Sequence, residues 1–386
     1  MPLIRINKNK KMKKILGCIV LLTLIWACSS DNDGDEPEIS TGLKVTFERA
    51  TMLTNWADNI IIPSYDAFSL ELDALNTSYD TFKTDASTTN LGAFRASWLS
   101  AYKMWQRISM FEIGPAESLG LRLNMNIYPT DSEKITGYIA SGTYDLSLSS
   151  NRDAKGFPAL DYFINGIGAD DAAIVAKYND ADKDATFTYV EVVLNEMTTL
   201  TNNVIAEWKA SYRDVFVAND GASATASVDR FANDYIFYYE KFLRAGKMGI
   251  PLGVFTGTTL PQNVEAYYEQ EISNELFLEG LSAVQDFFNG KHFGSSITGE
   301  SLASYLDALN TVKNGEDLNE IINTQFNLAR TMVSGLAPFR SEIENNTPPT
   351  DMFLAYDEVQ KAVPLLKVDM VSAMSISIDF VDADGD

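Results

Sequence analysis

Apolar residues recur at intervals of three and four along most of the chain. This spacing places them on one face of a helix, so it predicts a series of amphipathic helices. We expect the first of these helices to end at Pro63, because proline breaks the backbone hydrogen bonding of a helix. The stretches with helical spacing are 43–61, 65–82, 91–111, 158–164, 189–212, 228–247, 268–288, 302–312, 318–336 and 352–371.

Two segments interrupt this pattern. Residues 116–155 carry several glycines and a serine-rich run, and a segment of this kind is typical of a functional loop or of short folded pieces. Residues 249–261 are rich in glycine and proline and are the best candidate boundary between two halves. Alternation typical of a strand occurs only around 376–380. The pattern predicts an all-α fold, most simply two helical-bundle domains at 43–248 and 249–386.

The N-terminus has the composition of an export signal. Lys13 and Lys14 precede the apolar run Ile15 to Ala27, which is too short for a permanent membrane span. Ile25 to Cys28 resembles a bacterial lipobox, with a small residue just before the cysteine. We predict a signal peptide at 1–27 and lipidation of Cys28. The alternative is an ordinary secretory peptide with a free Cys28.

An acidic segment follows Cys28, with five acids among residues 29–38. Such a composition cannot bury a core, so we predict a solvated tether at 28–42. The segment also resembles the acidic signal that sends some lipoproteins to the outer face of the outer membrane. We therefore expect an outer-membrane lipoprotein facing the cell exterior, with the periplasmic face as the alternative.

The charge balance excludes one class of partner. The net charge is −23 over 386 residues, and every residue before Cys28 that carries charge is basic, so the remainder is more acidic still. A surface this acidic repels phosphate backbones, which argues against nucleic-acid binding. His292 is the chain's single histidine, so metal motifs that need two imidazoles are not available.

Three motifs taken together resemble the imelysin-like family. The first runs from Trp98 through Trp105 to the Phe-Glu-Ile-Gly-Pro turn at 111–115. The second is Gly-Phe-Pro-Ala-Leu-Asp-Tyr at 156–162, and the third is Leu-Arg-Ala-Gly-Lys-Met-Gly-Ile-Pro-Leu at 243–252. The resemblance extends from about residue 43 to the end. It implies an exported all-helical protein of two helical-bundle domains packed around a shared interface, with a site between them. The founding member was described as a metallopeptidase, and many relatives are linked to iron uptake.

The sequence departs from the family's Gly-x-His-x-x-Glu motif. Gly156 matches the glycine, Pro158 stands where the histidine belongs, and Asp161 stands where the glutamate belongs. Proline has no lone pair for a metal, and a catalytic zinc needs about three protein ligands. We therefore expect no zinc-peptidase activity, while Asp161 remains a candidate metal ligand. The segment also reads as an ordinary helix start, with proline in the first turn.

The candidate ligand-binding residues come from these motifs. Glu112 ends an aromatic helix beside a turn that the family places near its site, although a solvated helix end fits equally. Arg244 and Lys247 are scarce cations that could bind an anionic ligand or balance a helix end. Aromatic residues at helical spacing could line a pocket but are more often core. The full candidate set is Glu112, Gly156, Asp161, Tyr162, Arg244 and Lys247, and the aromatic residues are Trp98, Trp105, Tyr235, Tyr238 and Tyr239.

Two kinds of function remain. The first is a non-catalytic binding lipoprotein that takes part in acquiring iron or a related ligand, with iron or another divalent cation as the bound ion and an envelope uptake component as partner. Oxygen ligands such as carboxylates suit such hard cations. The second is an imelysin-type hydrolase with an altered metal site. A surface module that binds another protein is a further alternative.

Overall fold

Two long helices and the short turn between them form the first part of the fold. In the computed structural model, which describes residues 47–378, α2 (Ile62–Thr84) and α3 (Thr88–Ile108) pack against each other as a helical hairpin. The Ser87 side chain accepts a hydrogen bond from the Asn90 backbone N–H and so caps α3. Their apolar stripes face inward, as the spacing predicts.

Further helices complete the two sides of this hairpin. α9 (Lys183–Glu207) packs on α2, where the Tyr79 hydroxyl donates to the Phe187 carbonyl, and α13 (Ser273–Phe288) packs on α3. The other α-helices are α1 (Arg49–Asn55), α4 (Pro115–Leu119), α5 (Leu121–Met125), α6 (Ser132–Ser141), α7 (Gly156–Asp161), α8 (Asp171–Lys177), α10 (Arg213–Ala218), α11 (Ser227–Phe237), α12 (Ile250–Leu252), α14 (Leu302–Ala308), α15 (Leu318–Ser334), α16 (Phe339–Asn345), α17 (Thr350–Gln360), α18 (Ala362–Pro364) and α19 (Val371–Met374).

The predicted helix end at Pro63 is wrong. A π-helical segment joins α1 to α2, and Pro63 lies in the first turn of α2. The Asn59 carbonyl, four residues before this proline, accepts the Phe293 backbone N–H instead of a bond within the helix. Similar segments extend α7, α9, α11 and α18, and two short 3-10 turns occur elsewhere. The π-helical segments are Trp56–Ile61, Tyr162–Gly166, Trp208–Tyr212, Tyr238–Gly249 and Leu365–Met370, and the 3-10 turns are Ser149–Ala154 and Pro261–Asn263.

Strands play a small part in the described chain. β1 (Val312–Lys313) and β2 (Glu316–Asp317) form a two-stranded antiparallel hairpin ahead of α15. The alternating residues Ile376 and Ile378 form no strand there. The chain is all-α, as predicted. The interrupted segment 116–155 contains short helices and turns, which matches the expectation of short folded pieces.

The core is continuous through the described residues. Its apolar side chains extend from Met52 to Ile376, and the described residues form one compact unit. The division into two bundles at residue 249 stays a prediction. Within 47–378, no helix combines the length and the apolar character needed to cross a membrane. The predicted signal peptide, the tether, Cys28 and Phe380 lie outside the described residues.

Candidate functional site

A buried carboxylate organises the polar interior of the fold. Glu265, on the loop between α12 and α13, is 1% exposed. One of its oxygens accepts hydrogen bonds from the Asn126 amide (2.7 Å) and the Gln106 amide (3.1 Å), and the other pairs with the Lys247 ammonium. The Tyr102 hydroxyl donates to Asn126 at 2.6 Å. We call Gln106, Asn126, Lys247 and Glu265 the inner cluster.

The inner cluster is a closed network in which both oxygens of Glu265 have donors. Burial lowers the pKa of Lys247, and the charge of Glu265 opposes that shift. A cavity of about 20 Å³ adjoins the cluster, which is room for one water molecule. It is lined by Trp105, Gln106, Ser109, Arg122, Asn126, Tyr128, Tyr238, Phe242 and Lys247.

A larger pocket lies next to this cavity. We call it the outer pocket; its volume is about 450 Å³, a size typical of small-ligand sites. Arg122 and Phe242 line both spaces, so these two side chains form the wall between them. The Arg122 guanidinium lies 4.6 Å from the centre of the Phe242 ring. The outer pocket is lined by Glu112, Ile113, Glu117, Arg122, Leu123, Arg230, Asn233, Asp234, Phe237 and Phe242.

Arg122 is fixed by partners on several sides. Its guanidinium donates to both carboxylate oxygens of Asp234 (2.9 and 3.1 Å) and to the Ser109 carbonyl (2.7 Å). Its backbone N–H donates to the Glu112 carboxylate at 2.9 Å. Burial raises the pKa of Asp234, and the charge of Arg122 opposes the rise. The wall between the two spaces is therefore held by charge-assisted hydrogen bonds.

Glu112 reaches the outer pocket because of the turn that follows it. Gly114 has a φ of +55°, and a β-carbon there would lie 2.1 Å from the Tyr212 ring, so glycine is required. Pro115 then begins α4. Burial raises the pKa of Glu112 to about 7, and the charge of Arg122 opposes the rise. The pocket therefore offers a carboxyl group that exchanges its proton near neutral pH.

Asp161 supports the site and lies outside the inner cluster. It ends α7 and is 1% exposed. Its two oxygens accept hydrogen bonds from the Asn165 amide (2.9 Å) and from the Tyr268 backbone N–H (2.8 Å). Burial raises the pKa of Asp161 to about 7, although these hydrogen bonds favour the ionised carboxylate and oppose the rise. Because Tyr268 is three residues from Glu265, Asp161 anchors the loop that carries the buried carboxylate.

Gly156 and Tyr162 also pack against segments that carry or adjoin the inner cluster. Gly156 has a φ of +71°, and a β-carbon would lie 2.1 Å from the Met125 carbonyl, so it lets α7 approach the residue before Asn126. The Tyr162 ring packs on the Tyr268 ring with centroids 5.3 Å apart. Both predicted candidates thus hold neighbours of the inner cluster and do not line the outer pocket.

Arg244 lies elsewhere. It is 2% exposed and its guanidinium donates to the Tyr356 hydroxyl (2.8 Å) and to Gln360, both on α17. The candidate aromatic residues are all buried in the core, although Trp105 and Tyr238 also line the small cavity. The structure therefore brings Glu112 and Lys247 to neighbouring spaces, joined by Arg122, and places Arg244 in a separate contact.

The motif segment does not fit a catalytic zinc. Pro158 is buried in α7 and offers no lone pair, and both oxygens of Asp161 already accept N–H donors. Across residues 47–378, no three His, Cys, Asp or Glu side chains gather in a group that could hold a metal ion. No step through zinc follows from these residues.

Several residues of the site were not predicted from the sequence. They are Gln106, Arg122, Asn126, Asp234 and Glu265. A signal exists for two of them, because Arg122 lies between Leu121 and Leu123, and Glu265 between Val264 and Ala266. A charged residue flanked by apolar neighbours is typical of a buried, paired group.

The family follows from comparison with known proteins. The sequence profile of the Imelysin family matches residues 61–362, most of the chain, and the chain belongs to that family. The resemblance inferred from the three motifs is confirmed. Iron-regulated protein A of Synechococcus elongatus is 26% identical over 146 residues, 38% of this chain and 36% of that protein. The chain thus spans about a third of the length of this curated relative.

Two crystal structures share the fold. An iron-regulated protein A precursor from Parabacteroides distasonis has a TM-score of 0.67 at 15% identity, over 84% of this chain and 95% of that chain. An imelysin-like protein from Psychrobacter arcticum has a TM-score of 0.64 at 15% identity, over 86% and 97%. At this identity the likeness establishes the fold alone.

Proposed function

We propose that this imelysin-family chain is a non-catalytic binding protein of the bacterial cell envelope that takes part in acquiring iron or a related ligand. Iron is the cargo in this proposal and not a resident cofactor. The ligand contacts Glu112 and Arg122 in the outer pocket. The inner cluster and Asp161 hold the wall between the pocket and the small cavity in place.

The observation that carries the proposal is the state of the peptidase motif. Pro158 replaces the imidazole, and the Asp161 carboxylate is occupied by Tyr268 and Asn165. Without the imidazole the motif lacks a ligand for the zinc that would bind and activate a water, and a zinc peptidase requires that step. The same segment instead supports the loop that carries Glu265, so its role is structural.

Support for iron comes from relatives and from the chemistry of the pocket. Iron-regulated protein A is the name of the Synechococcus relative. The outer pocket presents the Glu112 carboxyl, and oxygen donors of this kind suit ferric ion. A chelate that leaves coordination positions open could use that oxygen.

Binding of ferric nitrilotriacetate tests the proposal. We expect the full-length protein in detergent to bind one equivalent in equilibrium dialysis. Glu112→Gln should weaken binding at least about tenfold, because the neutral amide is a poorer ligand for a hard cation. Glu191→Gln, on the surface where Glu191 pairs with Lys83, is the matched control and should bind as wild type does.

Proteolysis is measured in the same preparations. We expect no chelator-sensitive cleavage of unfolded casein. Stoichiometric zinc after dialysis together with such cleavage would contradict the non-catalytic proposal. Absence of ferric nitrilotriacetate binding, or equal binding by Glu112→Gln, would contradict the assignment of the ligand site.

The cellular location is part of the proposal. The lipobox-like sequence at Cys28 and the acidic tether support a lipoprotein anchored in the outer membrane and facing the cell exterior. The anchor provides the membrane attachment, and an envelope uptake component is the proposed partner.

Replacement of Cys28 tests the anchor. Cys28→Ala removes the thiol that would carry the lipid, so we expect the protein to move from the membrane fraction to the soluble fraction. Immunoblots of the two fractions measure this shift, and Ser29→Ala is the matched neighbouring control. Membrane retention of Cys28→Ala at the wild-type level would argue against lipidation.

A further inference from the structure

A second pocket, larger than the outer pocket, lies apart from it. It has a volume of about 630 Å³ and is lined by residues of α3, α13 and the π-helical segment Trp56–Ile61, with part of the loop after α13. Its floor is apolar and consists of the buried side chains Ile60, Met104, Phe111 and Phe287. Such a volume and floor are typical of a small-molecule site.

The loop that forms one wall is held in place by α1 and the segment after it. The Asn55 amide donates to the Gly290 and Glu300 carbonyls, both at 3.1 Å. The Phe293 backbone N–H donates to the Asn59 carbonyl at 2.8 Å. These bonds fix both ends and the middle of the loop, so the pocket is formed before any ligand arrives. A preformed pocket saves the free energy of ordering on binding.

The rim of this pocket carries cations. Asp286 is paired with Lys291 at 3.1 Å and lies 3.7 Å from Arg107, whose guanidinium also contacts Glu279 at 2.9 Å. Arg107 and Lys291 thus have two acids beside them, so the charges at the rim balance, and His292 adds a further polar group. A rim with balanced charges contrasts with the net charge of −23 of the whole chain.

The cations have room for a further partner. A guanidinium has five N–H donors and an ammonium has three, so sharing Asp286 leaves donors on both groups. The side chains of Arg107 and Lys291 are 35% and 42% exposed, and both line the pocket. A carboxylate at the rim can therefore receive charge-assisted hydrogen bonds while an apolar group covers the floor.

We propose that this pocket binds a small amphipathic carboxylate. The acid head contacts Arg107 and Lys291, and the hydrocarbon body packs on Phe111, Phe287 and their apolar neighbours. His292, the chain's single histidine, lies at the same rim and offers a further polar contact. This site is independent of the iron-ligand proposal, because it shares no lining residue with the outer pocket.

Calorimetric titration with octanoate tests the inference on the full-length protein. We expect saturable binding of one octanoate per chain, and binding of octanol and octylammonium at least about tenfold weaker. Lys291→Met and Arg107→Gln should each weaken octanoate binding about tenfold, which is the effect of losing one charge-assisted hydrogen bond. Because micelles bind octanoate, the protein is exchanged into lipid nanodiscs, and empty nanodiscs are titrated as the blank.

Lys83→Met is the matched control, since Lys83 is also a half-exposed lysine paired with an acid but lies outside the pocket. It should bind octanoate as wild type does. Lys291→Met should keep wild-type binding of ferric nitrilotriacetate, which separates this inference from the proposed function. Equal affinity for octanoate and octanol, octanoate binding unaffected by Lys291→Met, or no saturable binding would overturn the inference.

Discussion

Replacing Lys247 with methionine should lower the free energy of unfolding by about 3–5 kcal/mol. The substitution leaves the Glu265 carboxylate buried without its cation, and a lone buried charge is strongly destabilising. The amides of Gln106 and Asn126 still donate to Glu265 but do not neutralise its charge. Denaturant unfolding followed by circular dichroism at pH 7 measures the change.

The double variant Lys247→Met/Glu265→Gln distinguishes the lost ion pair from lost packing. Because it removes both charges, we expect it to recover at least half of the stability lost by Lys247→Met. Lys83→Met breaks a surface pair and should cost about 1 kcal/mol or less. A Lys247→Met protein as stable as Lys83→Met would show that the buried pair does not stabilise the fold.

The helices could be predicted from the sequence because their apolar spacing is a local property. α2, α3, α9 and α13 lie where the stripes predict them. The error at Pro63 has a physical reason. A proline lacks an N–H, but in the first turn of α2 the carbonyl four residues before Pro63, that of Asn59, accepts the Phe293 N–H instead. Sequence spacing alone does not distinguish this first turn from a helix end.

The site was only partly predictable. Glu112 and Lys247 could be proposed because they lie in motifs of the family, and the structure places them at adjoining spaces. Arg122 and Glu265 could not, because their partners are distant in sequence. Glu265 meets Gln106 from 159 residues away. Such pairings depend on the packing of α3 against the loop before α13, which the periodicity of a single helix does not encode.

Asp161 shows the limit of transferring a motif position. The position suggests a metal ligand, and the residue is buried as a functional group would be. Its hydrogen bonds, however, go to Asn165 and to the Tyr268 backbone. A carboxylate that accepts backbone N–H groups holds a loop in place. Only the fold reveals that the loop is the one that carries Glu265.

The protein should be more stable at pH 5 than at pH 8. Burial raises the pKa values of Glu112 and Asp161 from 4.5 and 3.8 to about 7. At a pH between the ordinary pKa and the raised pKa, each carboxyl group is protonated in the folded chain and ionised in the unfolded chain. The folded chain then binds more protons, so the free energy of unfolding falls as pH rises through 7. Each carboxyl group should contribute about 2 kcal/mol to this fall. Denaturant unfolding at pH 5, 6, 7 and 8 measures it.

Asp161→Asn separates this effect from the general repulsion of an acidic chain. The amide cannot ionise, yet its oxygen can still accept the Tyr268 N–H, so the loop that carries Glu265 stays anchored. We expect the variant to be more stable than wild type by about 2–4 kcal/mol at pH 8 and to lose about half of the pH dependence. Asp214→Asn removes the same charge from a side chain that is 86% exposed, and it should leave the pH dependence unchanged. If the stability of Asp161→Asn varied with pH as the wild type does, Asp161 would not be the proton-binding group, and its buried carboxylate would be ionised in the folded state throughout this range.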